Sequence, residues 1–137
     1  MMMRNSEHNE QVALMDWWRL SCAAFGMREE LLFAIPNGGL RNRVTGAKMK
    51  AEGVRAGVPD LFLAVPSMGY NGLFVELKQE HAGRTSSAQD AMLALLESQG
   101  YRTAVCHGWH NAAFTIKAYL NARKQRDDSW MWLGDEA

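Results

Sequence analysis

Between residues 14 and 25 the apolar positions Leu14, Met15, Trp18, Cys22 and Phe25 follow the i, i+3, i+4, i+7 spacing of one helical face. Ser6 can cap a helix ahead of that stripe and Gly26 can stop one behind it, so a first helix is predicted here. The short apolar run from Leu31 to Ile35 ends in Pro36-Asn37-Gly38-Gly39, the signature of a strand followed by a loop. A short helix around Ala47 to Glu52, closed by Gly53, comes next. Asp60 to Val65 is an apolar run of strand length that Pro66 stops, and Leu73 to Lys78 is a second, with turn chemistry from Ser67 to Gly72 between them. The pair predicts an antiparallel hairpin. Ser86 with Gln89 three residues later is a capping-box pattern, opening a helix through Met92, Leu93, Leu95 and Leu96 to Gly100. Tyr101 to Cys106 reads as a strand, and Trp109 to Arg123 as a helix with Ala113, Ile116 and Leu120 on its stripe. The order α-β-α-β-β-α-β-α predicts an α/β fold with a mixed central sheet flanked by helices.

At 137 residues the chain has room for one domain. That domain is expected over residues 1–126, followed by an acidic, Trp-containing tail over 127–137. A hydrophobic share of 47% and a charged share of 22% match a globular domain and exclude collagen-like, coiled-coil and disordered classes. No apolar run approaches the roughly 18 residues needed to span a membrane, and the first residues lack a secretory pattern. An intracellular, cytoplasmic protein is expected. Cys22 and Cys106 lie in apolar surroundings, as buried free thiols do in a reducing compartment.

Fifteen Lys and Arg balance fifteen Asp and Glu, which argues against a general nucleic-acid coat protein. The balance is not local: Arg41, Arg43, Lys48, Lys50 and Arg55 face only Glu52 within their stretch. A segment of this kind can hold a phosphate backbone, or it can be a solvated surface run.

Alternation along a strand puts Glu76 and Lys78 on one face and Val75 and Leu77 on the other. A hairpin closed symmetrically about residue 69 sets position 60 opposite 78, and an even register sum brings Asp60 to the same face. Two carboxylates and an ammonium then converge at one end of an otherwise apolar hairpin. Oxygen ligands of this type suit Mg²⁺ or Mn²⁺, and a neighbouring Lys can orient a water for phosphodiester hydrolysis. The bland alternative is a salt bridge at a strand end.

The sequence GVPD at 57 to 60, followed by FVELK at 74 to 78, resembles the PD-(D/E)xK nuclease signature. With IPNGG (35 to 39), GVRAGVPDLFL (53 to 63), SSAQ (86 to 89) and the Gly-Tyr start of the segment ending at Cys106, the chain resembles the virus-type replication-repair nuclease domain, VRR-NUC, in its small stand-alone phage-like form. The resemblance implies a restriction-endonuclease-like core and a divalent-metal-dependent endodeoxyribonuclease selective for branched, junction or flap DNA. It also implies a homodimer. Asp60 and Glu76 would be metal ligands, the Leu77 carbonyl a further ligand, and Lys78 the water-orienting group. An acidic residue of the first helix should complete the site. Glu7 and Glu10 are the candidates, Glu7 being preferred because it shares a face with Gln11, Leu14 and Met15. Gln89 matches the family's helix glutamine, and its capping-box role is an equal alternative. The rival function is a non-cleaving DNA-binding module of the same fold.

The remaining candidates carry less. His81 lies in a Gly-containing loop as a DNA-facing or solvated residue, and the His107-x-x-His110 pair has no thiolate pattern to support a zinc site. Adjacent Trp17 and Trp18 project about 100° apart on a helix, so one should sit at the edge of the stripe, as part of a broad core face or at a subunit interface. The tail's Trp130-Met131-Trp132-Leu133 reads as a docking patch or a frayed end.

Overall fold

The computed structural model describes residues 6–36 and 43–135, with side chains described for 6–36 and 46–123. Helix α1 spans Glu7–Ser21, and the Ser6 hydroxyl accepts the Asn9 N–H at 3.1 Å, as a cap should. A 3₁₀ turn over Cys22–Phe25 follows and ends at Gly26 in the left-handed conformation. Strand β1 is Leu32–Ala34, helix α2 Arg43–Ala51, strand β2 Leu61–Leu63 and strand β3 Leu73–Lys78. Helix α3 (Ser87–Ser98), strand β4 (Arg102–His107) and helix α4 (Trp109–Asp135) complete the described chain. The sequence order of elements is therefore the expected one. The four strands form one sheet in the order β1-β2-β3-β4, antiparallel across the first two pairs and parallel between β3 and β4.

One face of this sheet carries Leu61, Leu63, Leu73, Val75 and Leu77, all buried against the stripes of α1 and α4. Leu14, Trp18 and Cys22 come from α1 and the turn after it, and Ala112, Ala113, Ile116, Tyr119 and Leu120 from α4. The buried indole N–H of Trp18 donates to the Glu29 carbonyl at 2.9 Å, so its burial leaves no unpaired donor. Trp17 is half-buried and packs on Trp18 and Phe25 with ring centroids 6.2 and 6.3 Å apart, at the edge of the core face. Both cysteines are buried free thiols. Burial pushes the Cys106 thiol pKa above its ordinary value, with the Thr115 hydroxyl opposing. Among the described residues no helix is long and apolar enough to cross a membrane.

The opposite face holds Phe62, Phe74 and Tyr101 in a ring cluster, with α3 lying against β4. Here the expected stripe of α3 is only partly covered: none of the helix's residues is buried, and Leu95 is 57% exposed. A helix resting on the margin of a sheet has no second layer to close over its flank. The last helix also runs beyond Arg123, because residues 124 to 133 contain no Gly or Pro to end it. The expected tail thus continues the backbone of α4 as far as Asp135, and its side chains lie outside the described residues.

Candidate active site

Register decides which side chains meet. Leu61 pairs with Val75 and Leu63 with Leu73, so Asp60 stands opposite Glu76 rather than opposite Lys78 as expected from a symmetric hairpin. The cause is local to the turn, where Ser67 bridges to Tyr70 across Met68 and Gly69, both with positive φ. One more residue separates Leu63 from Ser67 than separates Tyr70 from Leu73, and the excess falls around Pro66, which has no N–H for the ladder. The resulting slip is two residues, so the parity of the faces survives. Asp60, Glu76 and Lys78 still share the face opposite the main core.

Glu76 is 3% exposed and Lys78 7% exposed. Lys78 Nζ lies 3.6 Å from Glu76 Oε1 and donates to Gln89 Oε1 at 3.1 Å, while Gln89 Nε2 donates to Glu76 Oε1, also at 3.1 Å. Gln89 Oε1 accepts the Ser86 N–H as well, closing the capping box of α3. The two alternatives for this residue are therefore one geometry: the side chain that caps the helix also bridges Glu76 and Lys78. Asp60 Oδ2 accepts the Leu77 N–H at 2.8 Å. The N–H and C=O of one strand residue point to the same neighbour, so the Leu77 carbonyl faces the Asp60 edge too.

Glu76 Oε2 is buried without a hydrogen-bond partner. Burial first, and then the neighbouring Asp60 carboxylate, push the Glu76 carboxyl pKa up to about 8, while the Lys78 ammonium draws it down. A buried carboxylate oxygen with no donor, beside a second carboxylate, is costly unless a proton or a cation neutralises it. The donors are oxygens, which fits a hard divalent cation. Among the described residues no three His, Cys, Asp or Glu side chains are gathered tightly enough to hold a metal by themselves. Asp60, Glu76 and the Leu77 carbonyl would therefore hold it together with water, as suits an ion that keeps part of its hydration shell.

A cavity of 650 Å³ opens onto this cluster, lined by Glu7, Lys50, Arg55, Asp60, Glu76 and Gln89 among others. It separates the two acidic candidates of α1. Glu7 lines the cavity, whereas Glu10 is 3% exposed, does not line it, and accepts the Trp109 N–H at 2.5 Å, capping α4. That role was not legible in the sequence, since residues 10 and 109 meet only in the fold.

The basic stretch divides as well. Lys50 and Arg55 line the cavity, and Lys48 is exposed elsewhere on α2. Arg43 begins α2 with its side chain outside the described residues, as is all of Arg41. His81 is exposed, with Nε2 3.8 Å from a Glu80 carboxylate oxygen. His107 Nδ1 lies 3.2 Å from the Gln79 carbonyl, and His110 stacks on Trp109 with centroids 3.8 Å apart, so neither reaches the carboxylate cluster.

The sequence profile of the VRR-NUC domain matches residues 1–110. A solved structure described as a VRR_NUC domain protein shares 26% identity and a TM-score of 0.75, covering 88% of this chain and 93% of that one. No curated protein matches the chain. The profile spans both carboxylates, Lys78 and Gln89, and the shared fold reaches across the sheet that aligns them: the chain belongs to the VRR-NUC domain family.

Proposed function

We propose that this protein, whose family carries a nuclease-type fold, is a divalent-metal-dependent DNA endonuclease acting on branched, junction or flap DNA. The observation that carries the reading is Glu76 Oε2, a buried carboxylate oxygen with no partner, beside Asp60 and below a cavity bearing Lys50 and Arg55. When bound, Mg²⁺ or Mn²⁺ supplies Lewis acidity toward a phosphate oxygen and toward water. Asp60, Glu76 and the Leu77 carbonyl would hold the ion together with water, and Glu7, which lines the same cavity, would reach it through that water. Lys78, tethered by Gln89 Oε1, presents its ammonium to the attacking water and to charge gathering on the phosphate. Lys50 and Arg55 grip the neighbouring phosphates, interactions that position DNA without reading its sequence. The selectivity for branched DNA rests on the family resemblance.

End-labelled duplex, flap and four-way-junction DNAs incubated with Mg²⁺ or Mn²⁺ test the reading. Cuts are expected in the branched substrates and should disappear on addition of EDTA. DNA binding without cleavage in either metal would establish the non-cleaving module instead.

A further inference from the structure

Gly57 lies three residues before Asp60 at φ +84°, in the left-handed region. A Cβ placed on it would stand 2.6 Å from the Ala88 carbonyl carbon and 2.9 Å from the Gln89 backbone nitrogen, and closer still to the Ala88 carbonyl oxygen. Those atoms are backbone and cannot rotate aside. The bare Cα of Gly57 is thus seated against the first turn of α3, and Pro59, fully buried, fixes the link from that seat to Asp60.

That same turn aims Gln89. The Ser86 N–H can only donate, so it fixes Oε1 as the atom facing Ser86 and Lys78 and leaves Nε2 facing Glu76 Oε1. With Oε1 of Glu76 occupied in this way, Oε2 is the oxygen left without a partner.

Resting on the metal-site reading above, we infer that Gly57 is a positioning residue: its close approach to Ala88 and Gln89 seats the capping turn of α3, and through Gln89 sets Glu76 and Lys78 relative to Asp60. A side chain at 57 pushes the turn away and loosens the Gln89 bridge while leaving every proposed ligand in the sequence.

The test is Mn²⁺ affinity, read by calorimetric titration, together with cleavage. Gly57→Ala and Gln89→Ala should each weaken Mn²⁺ binding by roughly 10–100-fold, the usual effect of losing a group that orients a ligand. The double variant should be no worse than the weaker single one. Gly53→Ala is the control: Gly53 shares the positive φ, at +101°, but a Cβ there meets nothing within 4 Å, so affinity should stay near wild type. Ser86→Ala, an exposed change that removes only the side-chain cap, gives an arm independent of whether Gly57→Ala folds. It should weaken binding by about fivefold or less when Gln89 is present and not at all in the Gln89→Ala background. Wild-type affinity in folded Gly57→Ala, additive losses in the double variant, or a Ser86→Ala effect indifferent to Gln89 would overturn the inference alone. A wild-type protein that binds no Mn²⁺ would overturn the metal-site reading and this inference with it.

Discussion

Burying Glu76, and setting it beside Asp60, leaves the metal-free chain with a carboxyl whose pKa is pushed up to about 8, against 4.5 for an ordinary Glu. Between those values the folded chain binds a proton that the unfolded chain has lost, so stability falls as pH rises through the window and levels off above it. Melting temperatures taken in EDTA should therefore decline from about pH 5 to about pH 8. Glu76→Gln, neutral throughout, should flatten that decline, and parallel profiles for the two proteins would refute the assignment. Metal and proton compete for the same carboxylates, so stabilisation by added Mn²⁺ should grow with pH across the same window. For the chemistry itself, Asp60→Asn, Glu76→Gln and Lys78→Ala should each lower cleavage by on the order of 10² or more with the fold retained, the two carboxylate variants also losing Mn²⁺ affinity. Near-wild-type cleavage in any two of the three would place the reaction elsewhere. The juxtaposition of Glu76 and Lys78 was legible in the sequence because a two-residue spacing has only one meaning on a strand. The orphaned oxygen was not, since it depends on where Gln89 Nε2 comes to rest.

Glu7 and Glu10 stand three residues apart on α1, and the helix carries them to different tasks. Glu10 Oε2 accepts the first N–H of α4, and a buried carboxylate at a helix N-terminus is doubly favoured, by the hydrogen bond and by the helix dipole. Glu10→Ala should cost about 1–3 kcal/mol of stability with Mn²⁺ affinity unchanged, whereas Glu7→Gln should lower Mn²⁺ affinity and leave the melting temperature where it was. Calorimetry and thermal melts on the two variants check both, and exchanged outcomes would assign Glu10 to the metal. Lys50 and Arg55 belong to the same scale, since α2 and the loop after it set them over the cavity. Replacing both by Gln should weaken binding to all DNAs alike and flatten the slope of log affinity against log salt by about 0.9 for each duplex phosphate no longer neutralised. An unchanged slope, measured in Ca²⁺ to suppress cleavage, would move the DNA surface elsewhere. The order of elements was readable from hydrophobic periods and breakers, each of which acts over a few residues. The two-residue slip of the hairpin came half from a turn centred between Met68 and Gly69 and half from an excess residue near Pro66. The split between Glu7 and Glu10 turned on a hydrogen bond to a residue 99 positions away, and no local pattern reports that.

At the scale of the whole molecule, a chain with no net charge has no overall field to draw in DNA, so the proposed binding rests on a local basic surface. The cavity is lined by Lys50 and Arg55 together with the carboxylates of Glu7, Asp60 and Glu76. It also holds one cluster of proposed metal ligands, and by the proposed mechanism one cluster would cut one strand. A four-way junction is resolved only by paired cuts in opposing strands, and a two-fold dimer presents two sites related by the pseudo-symmetry of such a junction. Of the adjacent tryptophans, Trp18 is buried in the core, and Trp17 is half-buried and packs on Trp18 and Phe25 of its own chain. Among the described residues, the large apolar side chains left most exposed are Leu20 on α1 and Phe114 on α4, at 88% and 72%. The expected assembly is a homodimer. Light scattering at micromolar concentration should give twice the 15.4 kDa of one chain, and mixing wild type with Glu76→Gln should yield junctions nicked in one strand by the hybrid dimers. A mass of one chain in a preparation that still cuts both strands of the junction would show that each cut is made by an independent monomer.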